Sequence, residues 1–246
     1  MAGDDVDICI RRYRPSDFPQ VRVLFLEGFV TGERSVLVAA TRNVLMKAPV
    51  VAVYLLSICG AALLYSLSHW DSFAGCLAVL LVSFSPALIH FLRRALNKAV
   101  KELCDQAFTT DMRDISAYYA APAGFFVAAR RAGDETTGEE VLGFVGLEYQ
   151  PEKTPHTAEL RRMVVSPKYG RRGIAKRLVR ALIEYAEAVP GLDCIELGTS
   201  EFQPAARRLY EGLGWELTRI DIQRAAFVTA SMMRFQRPVE TNLTRK

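Results

Sequence analysis

Histidine and cysteine are scarce in this chain, three and five residues of 246, and none of them is paired by spacing. Cys9, Cys59, Cys76, Cys104 and Cys194 are scattered, odd in number and without a metal-ligand or disulfide framework. That usage fits a reduced compartment, with each cysteine a small packing residue. His69, His90 and His156 form no cluster, so no metal site is expected. A net charge of +4 is too small to point to nucleic acid as a partner. Charge itself is locally absent: from Ala48 to Leu92 the sole formally charged residue is Asp71.

Two apolar runs flank that aspartate, Ala48 to Ser68 and Ser72 to Leu92, each close to the ~20 residues that a helix needs to cross a bilayer. Uniformly apolar helices also occur in protein cores, and Gly75, Ser83, Ser85 and Pro86 weaken the second run as an independent span. The length of both runs and their freedom from charge favour a transmembrane helical hairpin. They begin behind the charged stretch Met1 to Arg14, unlike a cleavable signal peptide, so the segment is expected to stay in the mature chain. Arg34, Arg42 and Lys47 precede the hairpin, Arg93, Arg94, Lys98 and Lys101 follow it, and the tip "SHWDS" carries neither lysine nor arginine. Both ends are therefore expected in the cytosol.

Elsewhere strands and helices alternate. "VDICIRRY" (Val6 to Tyr13) reads as a strand, and Ser16 as the N-cap of a helix through Val21, Leu24, Phe25 and Phe29. After the hairpin come a helical stripe (Leu96, Val100, Leu103, Ala107), a short helix in "TTDMRDISAYYAAP", and a strand pair, "GFFVAARR" and "VLGFVGLEY". A strand "AELRRMVVS" then leads into a helix from Gly173, a strand "CIELG", a helix in "QPAARRLYEGL" and two closing strands. This order predicts an α/β (α+β layered) fold with a mixed sheet flanked by helices. The expected organisation is residues 1–30 as the first strand and helix, 48–92 as the inserted hairpin, 93–236 as the remainder of the domain and 237–246 as a tail.

The stretch "SPKYGRRGIAKRLVRALIEYA" carries the chemistry. Its helix places Ile174, Leu178, Leu182, Tyr185 and Val189 on one face. Arginine and lysine are electrostatically disfavoured at a helix N-terminus, where free backbone N–H groups already concentrate positive charge. An anion held by the glycine-containing turn, with Arg171, Arg172 and Lys176 as phosphate partners, accounts for them, as would a solvated basic cap on a strand–helix turn.

These residues resemble the GNAT superfamily of acetyl-CoA-dependent N-acetyltransferases, whose fingerprint Arg/Gln-x-x-Gly-x-Gly/Ala lies between a strand and a helix. Here it reads "GRRGIA", Gly170 to Ala175, with Gly170 in place of the arginine or glutamine. "LYEGLGW" further on resembles the family's Leu-Tyr-x-x-x-Gly-aromatic signature, and Gln203 stands where many members carry asparagine. The apolar insertion after the first helix, then "TTDMRDISAYY" and "ELRRMVVSPKYGRRGIAKRLV", are similar to a membrane-anchored branch: camello-type acetyltransferases, N-acetylaspartate synthetase and cysteine-S-conjugate N-acetyltransferases. The resemblance implies acetyl transfer from acetyl-CoA to a primary amine at an internal membrane, with the endoplasmic reticulum expected and no metal. It places pyrophosphate on Arg171, Arg172, Gly173, Ile174, Ala175 and Lys176, with Gln203 nearby, and pantetheine along Met163, Val164 and Val165.

Within that frame Glu159 is the candidate base, or a solvated strand-end carboxylate; strict alternation puts it on the face of Arg161, Met163 and Val165. Tyr210 is the candidate acid for the CoA sulfur, or a packing aromatic. Alternation sends Arg161 and Arg162 to opposite faces, one of them to meet either a substrate carboxylate or an intramolecular partner such as Glu148 or Glu196. A small amino-acid-like acceptor leads, protein lysine at the membrane follows, and a non-catalytic acyl-CoA-binding membrane module is the reading from another class.

Overall fold

The structure is a computed structural model that describes residues 8–33, 35–46, 48–67, 72–131, 138–225 and 228–240. Seven strands form one sheet in the order β1-β2-β3-β4-β5-β7-β6. They are β1 (Ile8–Arg12), β2 (Gly124–Arg131), β3 (Glu139–Glu148), β4 (Thr157–Val165), β5 (Cys194–Ser200), β6 (Glu216–Ala225) and β7 (Val228–Pro238). Every neighbouring pair is antiparallel except β4 and β5. The predicted mixed sheet with flanking helices is present.

Helix α6 (Ile174–Glu187) makes the crossover from β4 to β5 that a parallel pair requires. Its apolar stripe, Ile174, Leu178, Leu182 and Ala186 with Val179 and Ile183, is buried on one face of the sheet. Helix α7 (Pro204–Glu211) joins that layer through Tyr210. On the other face lie α1 (Phe18–Leu26), the end of α4 (Ser72–Thr109) and the single turn α5 (Ile115–Tyr118). Their Val21, Phe25, Ala107 and Ile115 pack on Phe125, Val127, Phe144 and Val164.

Local chemistry sets these elements, with one correction. Ser16 does not cap α1: a 3-10 turn, Pro15–Asp17, leads into the helix, and no side chain caps its start. Buried Asp17 instead accepts from the Arg14 backbone N–H at 2.8 Å and pairs with Arg11 at 2.7 Å, tying the turn to β1. Asp114 does cap α5, accepting from the Ala117 N–H at 3.0 Å.

The two apolar runs are both helical. One is α3 (Ala48–Leu67), packed on the other, α4, which continues past the expected boundary at Leu92 as a single helix to Thr109. Ser68 to Asp71 of the expected tip lie outside the described residues, and Ser72 opens α4. Among the described residues no single helix is long and apolar enough to cross a membrane; a pair bent by 54°, Pro15–Leu45 with Val50–Leu63, is so by length and composition together. Sequence reading passed over a further helix, α2 (Val36–Leu45), which Ser35 caps by accepting from the Val38 N–H at 3.3 Å. Its Ala40 and Val44 pack on Leu92 and Leu96 of α4 and on Phe202, so α2 links the hairpin base to the β5–α7 connection.

Candidate active site

β4 and β5 pair only from Thr157 to Leu160 and from Cys194 to Leu197, although β4 runs on to Val165 and β5 to Ser200. The sheet opens between them beyond that point. The cause lies in β4. Against β3, Phe144 faces Val164 and Gly146 faces Arg161, so Arg162 and Met163 together oppose the single residue Val145. Arg162, the first of the two, sits at φ 56°, in the left-handed region that one type of bulge uses at this position.

The bulge shifts the phase of the strand and corrects two expectations from alternation. Arg161 and Arg162 lie on the same face of the sheet, not on opposite faces: Arg161 pairs with Glu148, and Arg162 forms a fork with Asp111 at 2.7 Å from both Nε and Nη2. Met163 and Val165 pack in the α6 layer with Leu160, so they do not share a face with Glu159 and Arg161. Both arginines thus have intramolecular carboxylate partners. Asp111 is fully buried and also accepts from the Tyr119 hydroxyl at 2.8 Å. Burial would raise its carboxyl, but the bonds from Arg162 and Tyr119 outweigh that, and its pKa lies below the ordinary value.

The opening between β4 and β5 belongs to a cavity of about 960 Å³, ample for a nucleotide-bearing ligand. One wall is Met163, Val164 and Val165, and the adjoining turn and helix start supply Arg171, Gly173, Ile174, Ala175 and Lys176. Gln203 and Leu209 close the α7 side. Glu33, Ala39, Arg42, Asn43 and Met46 form a wall from α2 and its approach that sequence reading did not find. The Ser35 cap was the available signal. Arg172, predicted with Arg171 and Lys176, is not among the lining residues; its guanidinium lies 5.6 Å from the ring centre of Tyr169, which is.

The helix start is built to take an anion. Among the described residues, the backbone N–H groups from Arg171 to Lys176 have no acceptor; the ladder begins with the Arg177 N–H on the Gly173 carbonyl at 3.0 Å. Gly173 sits at φ 74° with open space where a Cβ would be, so the backbone can approach a ligand closely. Gly170 has ordinary angles (φ −58°, ψ 150°), so glycine there is not a conformational requirement. Gln203 accepts from the Thr199 hydroxyl at 3.2 Å, fixing its amide at the mouth of α7.

Residues 88–215 match the acetyltransferase (GNAT) family. The chain belongs to that family. Human N-acetylaspartate synthetase is 32% identical over 211 residues, 85% of this chain, and the chain spans 62% of that relative's length. Rat N-acetyltransferase 8F1 is also 32% identical, over 213 residues covering 85% of this chain and 86% of the relative. A GNAT acetyltransferase from Staphylococcus aureus shares the fold, with a TM-score of 0.52 at 14% identity over 95% of this chain and 99% of that one. GNAT acetyltransferases use acetyl-CoA as acetyl donor, a ligand that carries a pyrophosphate. The residues present fit it: donors at the helix start, basic side chains at the turn and an open strand edge for the arm.

Glu159, Tyr210, Arg161 and Arg162 lie outside the cavity lining. Glu159 is half-buried, 3.7 Å from the Arg161 Nε and opposite Glu148 on β3. Burial raises its pKa, the Glu148 charge adds to that, and Arg161 opposes. Tyr210 is buried against Trp215, ring centres 5.7 Å apart, and burial alone pushes its phenol up. Its neighbour Leu209 reaches the cavity.

Ala175→Glu places a carboxylate among the unpaired N–H groups. Acetyl-CoA affinity should fall by about tenfold or more, with little change in melting temperature, because the position is partly exposed. Calorimetry with acetyl-CoA beside a melting curve checks this, and unchanged affinity in the folded variant would remove the phosphate assignment.

Proposed function

We propose that the protein is an acetyl-CoA-dependent N-acetyltransferase acting on the primary amine of a small amino-acid-like acceptor, attached to a membrane by its α3–α4 hairpin. The observation that carries the catalytic part is the opening of β4 from β5 directly above the free N-terminus of α6. Acetyl-CoA supplies the acetyl group. The amine nitrogen bonds to the acyl carbon as the carbon–sulfur bond breaks, so the chain must remove a proton from nitrogen and supply one to sulfur. Glu159, raised by burial yet open to solvent on one side, is the base of this proposal. Tyr210, held protonated by burial, is its acid.

Because the Glu159 pKa is raised, the ascending limb of the pH profile should lie above the usual carboxylate range and follow deprotonation of that group. Glu159→Gln should remove the limb and displace activity toward alkaline pH, where free amine is more abundant. Tyr210→Phe should lower kcat by about 10²-fold or more with little change in acetyl-CoA affinity. Thiol release followed across pH reads both effects; wild-type profiles would eliminate both residues.

The acceptor assignment rests on the relative named N-acetylaspartate synthetase and on Arg42. Arg161 and Arg162 are taken by carboxylates, whereas Arg42 lines the cavity with no ion pair among the described residues. Arg42 is therefore the cation proposed to receive an acceptor carboxylate. Arg42→Met should raise KM for an amino-acid acceptor by about tenfold or more and leave the corresponding amide nearly unchanged. Equal losses for acid and amide would favour lysine side chains of proteins as acceptors.

Membrane attachment is supported by the surface of α3. Leu55, Leu56 and Leu63 are 54%, 71% and 60% exposed, with Val51, Val53, Tyr54 and Ile58 also uncovered. The Ser57 and Ser66 hydroxyls return to the helix's own carbonyls of Val53 and Leu63, each at 2.8 Å, as hydroxyls in lipid must. β1 before the hairpin pairs with β2 after it, so a crossing has to return, and the basic flanks point to the cytosolic side. In sealed microsomes, added protease should digest the catalytic domain. Protection of that domain, or a glycan on Asn242 of "NLT", would invert the orientation.

A further inference from the structure

The bulge of β4 depends on a cluster that reaches it from the other side of the sheet. Arg162 holds φ 56°, a conformation that residues with a side chain adopt rarely. Both its Nε and Nη2 are bound to Asp111, and its guanidinium lies 5.8 Å from the centre of the Phe25 ring. With 14% of its side chain exposed and Asp111 wholly enclosed, Arg162 is anchored rather than available to a ligand. Tyr119 completes the arrangement. Its hydroxyl reaches Asp111 at 2.8 Å, and its ring crosses β3 at Gly146, where a Cβ would come within 2.7 Å of the ring. Gly146 is paired with Arg161, immediately before the bulge.

On the far side of the strand, the bulged residue Met163 lines the cavity, and beyond Leu160 the edge of β4 has no ladder partner on β5. Pairing therefore stops where the bulge begins. We propose that Asp111, Arg162 and Tyr119 are positioning residues: they fix the bulge and so aim the backbone of Met163, on the edge that β5 leaves open, toward the acyl oxygen of acetyl-CoA. This rests on the acetyl-CoA reading above. A cluster serving only stability could pack anywhere in the layer; this one is bonded to the residue whose backbone sets the opening.

Two variants and two ligands test the assignment. Asp111→Asn/Arg162→Gln removes both charges together and leaves no lone charge buried, while Tyr119→Phe removes one hydrogen bond and keeps the ion pair. S-ethyl-CoA shares every group of acetyl-CoA except the carbonyl oxygen. Calorimetry with both ligands, kcat and a melting curve are read on each variant at a temperature where it is folded. The wild type should prefer acetyl-CoA. In the double variant S-ethyl-CoA should bind within about twofold of wild type, the preference for acetyl-CoA should shrink, and kcat should fall by about tenfold or more. Tyr119→Phe should move the same quantities in the same direction by less, and it carries the test if the double variant does not fold. A retained preference with unchanged kcat, or equal weakening of both ligands, would overturn the proposal. If the wild type binds neither ligand, the acetyl-CoA reading itself fails.

Discussion

A single irregularity in one strand organises this molecule. β4 must pair with β3 along its length and with β5 along part of it, and the extra residue at Arg162–Met163 ends the second pairing while preserving the first. Were β4 regular, its edge could continue to bond β5, and no strand edge would remain for a ligand. The bulge also exchanges the faces of the residues that follow it. That places Met163 and Val165 in the α6 layer and turns Arg162 to the face of Arg161, where both meet the carboxylates of the other layer.

The electrostatics divide along the same line. On one side of the sheet, arginines are matched with acids: Arg162 with Asp111, Arg161 with Glu148, Arg11 with Asp17. Glu148 further accepts from the Tyr118 hydroxyl at 2.6 Å, which helps push that phenol up to about 12, burial being the larger cause. At the cavity the pattern is reversed. Arg171, Lys176 and Arg42 line it without an acidic partner among the described residues, beside backbone N–H groups that lack acceptors. Glu33 and Glu201 also line the cavity, but among the described residues none of the three cations is bonded to them, so cationic side chains and free N–H groups remain to meet an anionic ligand.

The inserted hairpin is joined to the catalytic layers by packing as well as by sequence. α4 begins as the second apolar run and ends with Cys104 and Ala107 in the core beneath β2 and β3. α2 touches α4 on one side and contributes to the cavity on another. The apolar insertion and the cavity therefore share structural elements, so the placement of α2 depends on how α4 is seated.

The sequence by itself determined most of the architecture: the order of strands, the apolar stripe of α6, the glycine turn with its basic residues, and two helices where charge is absent. Those properties are local, written in periodicity and composition within a few turns of chain. The resemblance carried by its motifs also singled out Gly173, Ile174, Ala175, Lys176 and Gln203, which the structure gathers along one cavity; for the glycine turn the local reason is that a helix start open to an anion has free N–H groups. Only the tertiary structure decided what Arg161 and Arg162 do. Alternation assumes a regular strand, and a bulge stabilised by Asp111, 51 positions away in the chain, breaks that assumption. The same holds for Arg42: a basic residue near an apolar run looks like a flank until folding sets its helix against the opening between two strands that begin more than 100 residues later.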